Sequence, residues 1–175
     1  MSQAHYESLR PAFPINGVVL VGVCASGKTT ASQGLANYGI VSRAVAQEHS
    51  MVAGLYRKGG LGLVVLLVAS WATVHRRRHL AWEPEFYRTE WMRLQGARKD
   101  AHLILHTDEL NRKEVVDTIV RWWDQRLGLE TLWLRYPHWR QAEQAHIRRA
   151  VASGVPLADA VQSLLGGPSI AATVL

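Results

Sequence analysis

The chain has 175 residues, of which 48% are hydrophobic and 19% charged, and it carries a net charge of +6. This composition excludes a disordered chain, and the single cysteine, Cys24, excludes a disulfide scaffold and a cysteine-built zinc site. No charged-then-apolar leader opens the chain, and its strongly apolar uncharged run at 59–74 is shorter than the ~20 apolar residues of a membrane helix. We therefore expect a cytoplasmic protein with no membrane association.

The excess positive charge lies in the middle of the chain. Residues 57–98 contain eight basic and three acidic side chains, whereas the part after Gly128 has a net charge of only +1. Such a distribution favours polyanionic partners such as nucleotides, phosphorylated metabolites or nucleic acid. A solvated basic surface is the alternative.

Short apolar runs alternate with segments of helical periodicity. Strands are predicted at 18–21, 41–46, 63–68 and 103–105, and helices at 28–38, at 70–78, from Pro84 onwards and behind Asn111, with a short helix or loop at 49–57. Asn111 and Glu114 have the spacing of a capping box, and Gly128 ends the helix that follows. This order predicts an α/β fold with a parallel sheet whose ligands lie at the carboxyl ends of the strands.

Three regions are expected: a leader at 1–14, an α/β domain at 15–128 and a helical C-terminal extension at 129–175. Within the extension, helices are predicted at 138–152 and 156–165, and Trp133 and Trp139 are expected to be buried anchors. Residues 150–164 resemble the first part of a helix-turn-helix, but 168–175 contain no Arg, Lys, Asn or Gln to read base edges. We therefore do not expect nucleic-acid binding, and the extension is expected to pack on the domain or to mediate oligomerisation.

One motif carries specific chemistry. Gly22-Val-Cys-Ala-Ser-Gly-Lys-Thr29 fits the phosphate-loop pattern G-x-x-x-x-G-K-[ST], directly after an apolar strand and at the start of a helix. In such a loop backbone amides and the helix N-terminus face a phosphate, Lys28 reaches the β and γ phosphates, and the Thr29 hydroxyl ligates Mg²⁺. Cys24 is interpreted as a small loop residue. The motif predicts ATP or GTP with Mg²⁺, bound by Gly22, Ala25, Ser26, Gly27, Lys28, Thr29 and Thr30.

The sequence resembles the adenylate kinase, shikimate kinase and gluconate kinase superfamily over residues 18–127, and is most similar to small bacterial P-loop kinase-like proteins of unassigned substrate. The resemblance rests on 22–30, on Gln47-Glu48-His49-Ser50, on 71–78, and on Thr107-Asp108-Glu109-Leu110 leading into 114–116. It implies a three-layer P-loop NTPase-like fold with a small parallel β-sheet flanked by helices. No D-x-x-G or N-K-x-D motif is present, which argues against a regulatory GTPase.

The resemblance also implies roles for individual residues. Arg76, Arg77 and Arg78 lie where the arginines of the family's lid begin. Glu48 is the candidate base or metal-shell carboxylate. Further assignments are Arg93 or Arg98 as a second anion contact, and Thr107 and Asp108 beside the nucleotide base, with helix capping as the competing role of Asp108. His49 and Ser50 lie where the acceptor would bind, but an ordinary surface role is favoured for each.

Two departures from the family pattern narrow the function. The 63–68 strand continues into Ala69 and Ser70 without an aspartate, and the segment between Glu48 and Leu63 is too short for a nucleoside monophosphate-binding arm. We therefore expect Mg-ATP-dependent phosphoryl transfer to a small-molecule acceptor. A nucleotide-binding protein without efficient transfer and a DNA-associated regulator that uses the extension are the alternatives. His75 and His79 are four residues apart but are not expected to hold a metal.

Overall fold

The computed structural model describes residues 17–60, 62–78 and 83–166. The expected leader at 1–14, His79 and the candidate recognition segment at 168–175 lie outside these residues. Within them, no helix is both long and apolar enough to cross a bilayer.

The core element is a four-stranded parallel sheet in the order β2-β1-β3-β4. Its strands are β1 (Val18–Gly22), β2 (Ser42–Ala44), β3 (Leu63–Val68) and β4 (Leu103–His106). The chain moves from β1 outwards to β2, then crosses back to β3 on the other side of β1. The order therefore reverses between β1 and β3, and ligands of open parallel sheets bind at such a switch point.

Eight α-helices are described, with two short 3₁₀ helices at Gln47–His49 and Leu55–Arg57. The α-helices are α1 (Lys28–Ala36), α2 (Trp71–Arg78), α3 (Pro84–Arg93), α4 (Gln95–Asp100), α5 (Arg112–Leu127), α6 (Glu130–Arg135), α7 (Gln141–Ala152) and α8 (Leu157–Leu165).

Helices cover both faces of the sheet. Alternate residues of the central strands, such as Leu20 and Val65, pack with α1, α5 and α7 in one apolar cluster. Their neighbours Val21 and Leu66 face the other way and pack with α2, α3 and α4 in a second cluster. The predicted three-layer α/β architecture with a small parallel sheet is therefore present, and the apolar runs follow from burial on both faces.

The helices after Gly128 share this core. Leu129 and Leu132 near α6, Ile147 and Val151 on α7, and Ala160 on α8 belong to the same buried cluster as β1 and β3. Trp139 is buried and stacks on Tyr136, with ring centroids 4.3 Å apart. The extension thus completes one layer of the fold.

Some element boundaries differ from those predicted. The helix expected at 28–38 ends at Ala36, and the turn after it ends at Gly39, which has a φ of +74°. A Cβ at Gly39 would lie 2.4 Å from the carbonyl oxygen of Ala145 in α7, so close packing also requires glycine there. The helix that begins at Pro84 breaks at Leu94 into α3 and α4, and α6 was not predicted.

The predicted capping box of α5 is present. The Asn111 side chain accepts from the Glu114 amide at 3.0 Å, and the Glu114 carboxylate accepts from the Asn111 amide at 2.7 Å. We expect Asn111→Ala to lower the free energy of unfolding by about 1 kcal/mol, measured by urea denaturation. Asn111→Asp, which keeps an acceptor oxygen, should leave stability nearly unchanged, and equal losses in both variants would contradict this role.

Candidate functional site

A tight loop joins β1 to α1 at the switch point of the sheet. A Cβ at Gly22 would lie 2.2 Å from the Leu67 carbonyl oxygen of β3, so only glycine allows this approach of the backbones. Gly27 has a φ of +101° and Ala25 a φ of +58°. An added Cβ at Gly27 would meet no atom within 4 Å, so backbone conformation is what requires glycine there.

Among the described residues, no side chain caps the N-terminus of α1. Gly27 occupies the cap position, and it has no side chain that could accept a hydrogen bond from the first amides of the helix. The first amides of a helix have no intrahelical acceptor and confer a partial positive charge. Residues 24–31 all line one cavity, so this uncapped helix end borders open space.

Lys28 is held across the loop by three oxygen atoms. Its ammonium group donates to the carbonyl oxygens of Gly22 at 2.8 Å and Val23 at 3.0 Å, and to Oε1 of Glu48 at 2.6 Å. The Lys28 and Glu48 side chains are only 11% and 3% exposed. Glu48 lies in the 3₁₀ helix after β2, and Arg93 donates to its backbone carbonyl at 3.1 Å. The structure therefore brings Lys28 and Glu48 together, and Arg93 positions Glu48.

The cavity beside the loop has a volume of about 770 Å³, within the usual range of small-molecule sites. The residues after the carboxyl ends of β1, β2 and β4 and the end of α2 surround it. Many of the site residues predicted from the sequence line this cavity: Ala25, Ser26, Gly27, Lys28, Thr29, Thr30, Glu48, His49, Arg77, Arg78 and Thr107.

The three consecutive arginines of α2 differ in position. Arg77 donates to the Ala25 carbonyl at 3.1 Å and to the Thr107 carbonyl at 2.6 Å, so it ties the loop to the end of β4. Arg78 lines the cavity beside it. Arg76 instead donates to Thr73 of its own helix at 3.2 Å and does not line the cavity.

Arg98 and Ser50 also lie away from the cavity lining. Arg98 is exposed on α4, which leads into the amino end of β4 and therefore toward the opposite edge of the sheet from the loop. The Ser50 hydroxyl accepts from the Val52 amide in a local turn. The sequence could not show either placement because both depend on how the intervening segments pack.

Asp108 anchors Ser70, and it is the Ser70 hydroxyl that caps α2 by accepting from the Thr73 amide at 3.3 Å, so the capping role expected for Asp108 is an indirect one. Its Oδ1 accepts from the Ser70 hydroxyl at 2.7 Å and from the Ser70 amide at 2.9 Å, just before α2. Hydrogen bonds from Thr73 and Ser70 hold the pKa of Asp108 down at about 2. Asp108 does not line the cavity.

This lowered pKa predicts a pH-dependent contribution to stability. Because the folded pKa is below the ordinary value of 3.8, the carboxylate stabilises the fold above pH 3.8 and loses this effect as the pH falls towards 2. We expect Asp108→Asn to have a lower melting temperature than the wild type at pH 7 and a shrinking difference below pH 3.8. A difference that stays constant down to the most acidic pH measured would contradict this assignment.

Glu90 is a buried residue of the site that the sequence analysis missed. Its Oε2 accepts from the Cys24 amide at 3.0 Å, and its Oε1 has no hydrogen-bond partner within 17–60, 62–78 and 83–166. Burial raises the pKa of Glu90 and also that of the Cys24 thiol. One feature of the sequence could have indicated that Glu90 is buried. It falls on the same face of α3 as Tyr87, Trp91 and Leu94.

The far wall of the cavity was also missed. Leu110, Asn111, Arg112 and Val115 line it from the start of α5. The capping box predicted where α5 begins, but it did not indicate that this end of the helix forms part of the cavity wall. Of the two histidines considered for metal binding, His75 contacts the Trp71 ring.

No protein-family model matches the chain, and no curated protein matches it either. The fold and site therefore define the class: a parallel α/β protein with a glycine-rich strand-to-helix loop and a paired lysine at the edge of a cavity.

Proposed function

We propose that the protein binds a nucleoside triphosphate with Mg²⁺ at residues 22–30 and transfers its terminal phosphoryl group to a small-molecule acceptor. The observation that carries the proposal is the Lys28 ammonium group, held between loop carbonyls and Glu48 at the edge of the cavity. A lysine directly after a positive-φ glycine and at a helix N-terminus is the arrangement typical of phosphate-binding loops.

The residues present fit a polyphosphate. The uncapped end of α1 and Lys28 supply positive charge on one side of the cavity, and Arg77 and Arg78 supply it on another. Ser26 Oγ is buried at the base of the loop and has no hydrogen-bond partner in the part of the chain that the structure describes. Such a cluster of donors favours an anion because an unpaired buried polar group is costly.

Each residue has a specific role in this proposal. Lys28 binds the outer phosphates, and the exposed Thr29 hydroxyl ligates the magnesium ion. Arg78 neutralises charge that develops during transfer, while Arg77 holds the loop against Thr107. The nucleotide supplies an activated phosphoryl group, and the protein contributes positioning and electrostatic stabilisation.

Glu48 pairs with Lys28 in the free protein and is released from it when nucleotide binds. A bound phosphate competes with Glu48 for the ammonium group, so nucleotide binding frees a carboxylate that is almost fully buried. The freed carboxylate is then available to the acceptor hydroxyl or to a water in the metal shell. Glu48 would therefore serve in place of the aspartate that is missing after β3.

The proposal is tested by measuring ADP release from Mg-ATP in the presence of a panel of small hydroxylated and carboxylated acceptors. With a productive acceptor, Arg78→Ala should lower kcat by about 10²- to 10³-fold because one charge-stabilising group is lost. Arg76→Ala is the matched control and should retain near wild-type kcat because it bonds within its own helix. Equal kcat values for Arg78→Ala and the wild type would contradict the role of Arg78.

Nucleotide binding without efficient transfer is the second candidate. It is favoured by the end of β3, where Ala69 and Ser70 supply no carboxylate and Asp108 is occupied by Ser70. Tight Mg-ATP binding with no product from any acceptor would support this second candidate over the kinase.

A further inference from the structure

We propose that Cys24, His49 and Glu90 form a second site, which binds a thiolate-preferring divalent cation such as Zn²⁺. Their potential ligand atoms, a thiol sulfur, an imidazole nitrogen and a carboxylate oxygen, all lie within 4.8 Å of one another. The three residues come from the loop after β1, the 3₁₀ helix after β2, and α3. The tertiary fold, not a sequence motif, brings them together.

The ligand set matches the preference of zinc. Zn²⁺ binds Cys sulfur, His nitrogen and carboxylate oxygen, and three protein ligands leave a fourth tetrahedral position open. Ligand atoms around a bound zinc ion are about 3.5 Å apart, so the observed group must contract slightly. His49, whose side chain is 43% exposed, has the freedom to close this gap.

The unpaired oxygen of Glu90 is an independent indication of a ligand. The Glu90 side chain is 1% exposed, and its Oε1 has no hydrogen-bond partner among the described residues. The nearest cationic candidate, Nδ1 of His49, is 3.7 Å from this oxygen, which is too far for a hydrogen bond. A cation between the two atoms would satisfy the buried oxygen.

The neighbouring carboxylate does not belong to this set. Glu48 Oε1 lies 3.7 Å from His49 Nε2, but the same oxygen is bonded to Lys28 at 2.6 Å. The proposed site is also separate from Thr29, the expected magnesium ligand. Cys24 and His49 line the cavity, so the open fourth position faces it and takes water or a small oxygen ligand.

Binding has a defined proton balance and a structural consequence. The Cys24 thiol loses its proton to solvent when its sulfur ligates the cation. The cation then links the 22–29 loop to α3 through Cys24 and Glu90. This link adds to the existing hydrogen bond from the Cys24 amide to Glu90.

The test uses Co²⁺ as a spectroscopic probe of the full chain under reducing conditions. Cys24 is the only cysteine, so a near-ultraviolet cobalt–thiolate absorption band can arise only from this residue. We expect the band to saturate at one Co²⁺ per chain and to disappear on addition of one equivalent of Zn²⁺. Cys24→Ser should abolish the band, and His49→Ala and Glu90→Gln should each weaken cobalt binding by about tenfold or more.

Controls separate this site from adventitious binding and from the proposed nucleotide site. His75→Ala removes an exposed histidine outside the cluster and should leave the titration unchanged. The double variant Lys28→Met/Glu48→Gln, which removes the lysine without freeing a carboxylate beside His49, should also retain the cobalt band, so loss of nucleotide binding and loss of the metal site are distinguishable. Absence of a cobalt–thiolate band in the wild type, or an unchanged affinity in the folded His49→Ala variant, would overturn the proposal.

Discussion

Replacing Lys28 with alanine should lower the affinity for Mg-nucleoside triphosphate by about 10- to 100-fold. Hydrogen bonds to charged groups contribute about 1.5–3 kcal/mol, and each 1.4 kcal/mol corresponds to a factor of ten in affinity. Lys28 also places its charge where the loop amides and the α1 N-terminus converge, so its loss removes attraction on that side of the cavity. Equilibrium dialysis with labelled nucleotide measures the effect.

The same substitution should also affect stability, and a second variant separates the two effects. Lys28→Ala leaves the buried Glu48 carboxylate without its partner, which destabilises the fold. The double variant Lys28→Met/Glu48→Gln removes both charges and should recover much of the lost melting temperature while nucleotide binding stays weak. Lys99→Ala, an exposed lysine on α4, is the matched control and should bind like the wild type.

Comparison of the single and the double variant separates the loss of a phosphate contact from the loss of stability. If the double variant regains both stability and nucleotide affinity, the loss in Lys28→Ala reflects unfolding and not the removal of a phosphate contact. If Lys28→Ala binds as tightly as the wild type, residues 22–29 do not form a phosphate site.

Replacing Arg148 with methionine should lower the free energy of unfolding by about 3–5 kcal/mol. The Arg148 guanidinium group donates to both oxygens of Asp124, at 2.7 and 2.8 Å, and the two side chains are 3% and 7% exposed. Trp133 donates to the same carboxylate at 2.8 Å, and the guanidinium carbon lies 5.0 Å from its ring centroid. Removing one partner of a buried ion pair leaves an uncompensated charge, which accounts for the size of the effect.

This ion pair joins α5 to α7 and so attaches the C-terminal helices to the sheet layer. The double variant Arg148→Met/Asp124→Asn removes both charges but keeps an acceptor for Trp133, and it should be more stable than the single variant. Arg88→Ala, which breaks an exposed pair with Glu85, is the control and should cost less than 1 kcal/mol. Urea denaturation provides the measurement, and equal losses for Arg148→Met and Arg88→Ala would contradict the account.

The parts of the fold that were predicted correctly have strong local signals. The limits of β3 match because its six apolar residues are uninterrupted and it is central in the sheet. Those of α5 match because Asn111 caps its start and Gly128, at a φ of +69°, ends it. The break at Leu94 was missed although Gly96 follows it, because the periodicity of the helix continues through it; Leu94 is fully buried in the cluster that packs on the sheet, and this packing decides the break.

The candidate site likewise contains some features that the sequence predicts and others that depend on tertiary packing. Lys28 and Glu48 could be placed together because parallel strands end at one edge of the sheet, and their 2.6 Å contact agrees with this. Which arginine of α2 faces the cavity depends on helix rotation, and the sequence alone did not separate Arg76 from Arg78. Glu90 was overlooked because its spacing matches the apolar face of α3, where a buried carboxylate has no sequence motif of its own.

Calorimetric titration of the purified protein with Mg-ATP and Mg-GTP tests the central claim most directly. The account predicts saturable binding with one nucleotide per chain, and the difference between ATP and GTP identifies the donor base. Because inorganic phosphate alone makes few of the expected contacts, it should bind far more weakly than either nucleotide. No binding of either nucleotide to the folded protein would contradict the assignment of residues 22–30 as a phosphate site, and with it the proposed phosphoryl transfer.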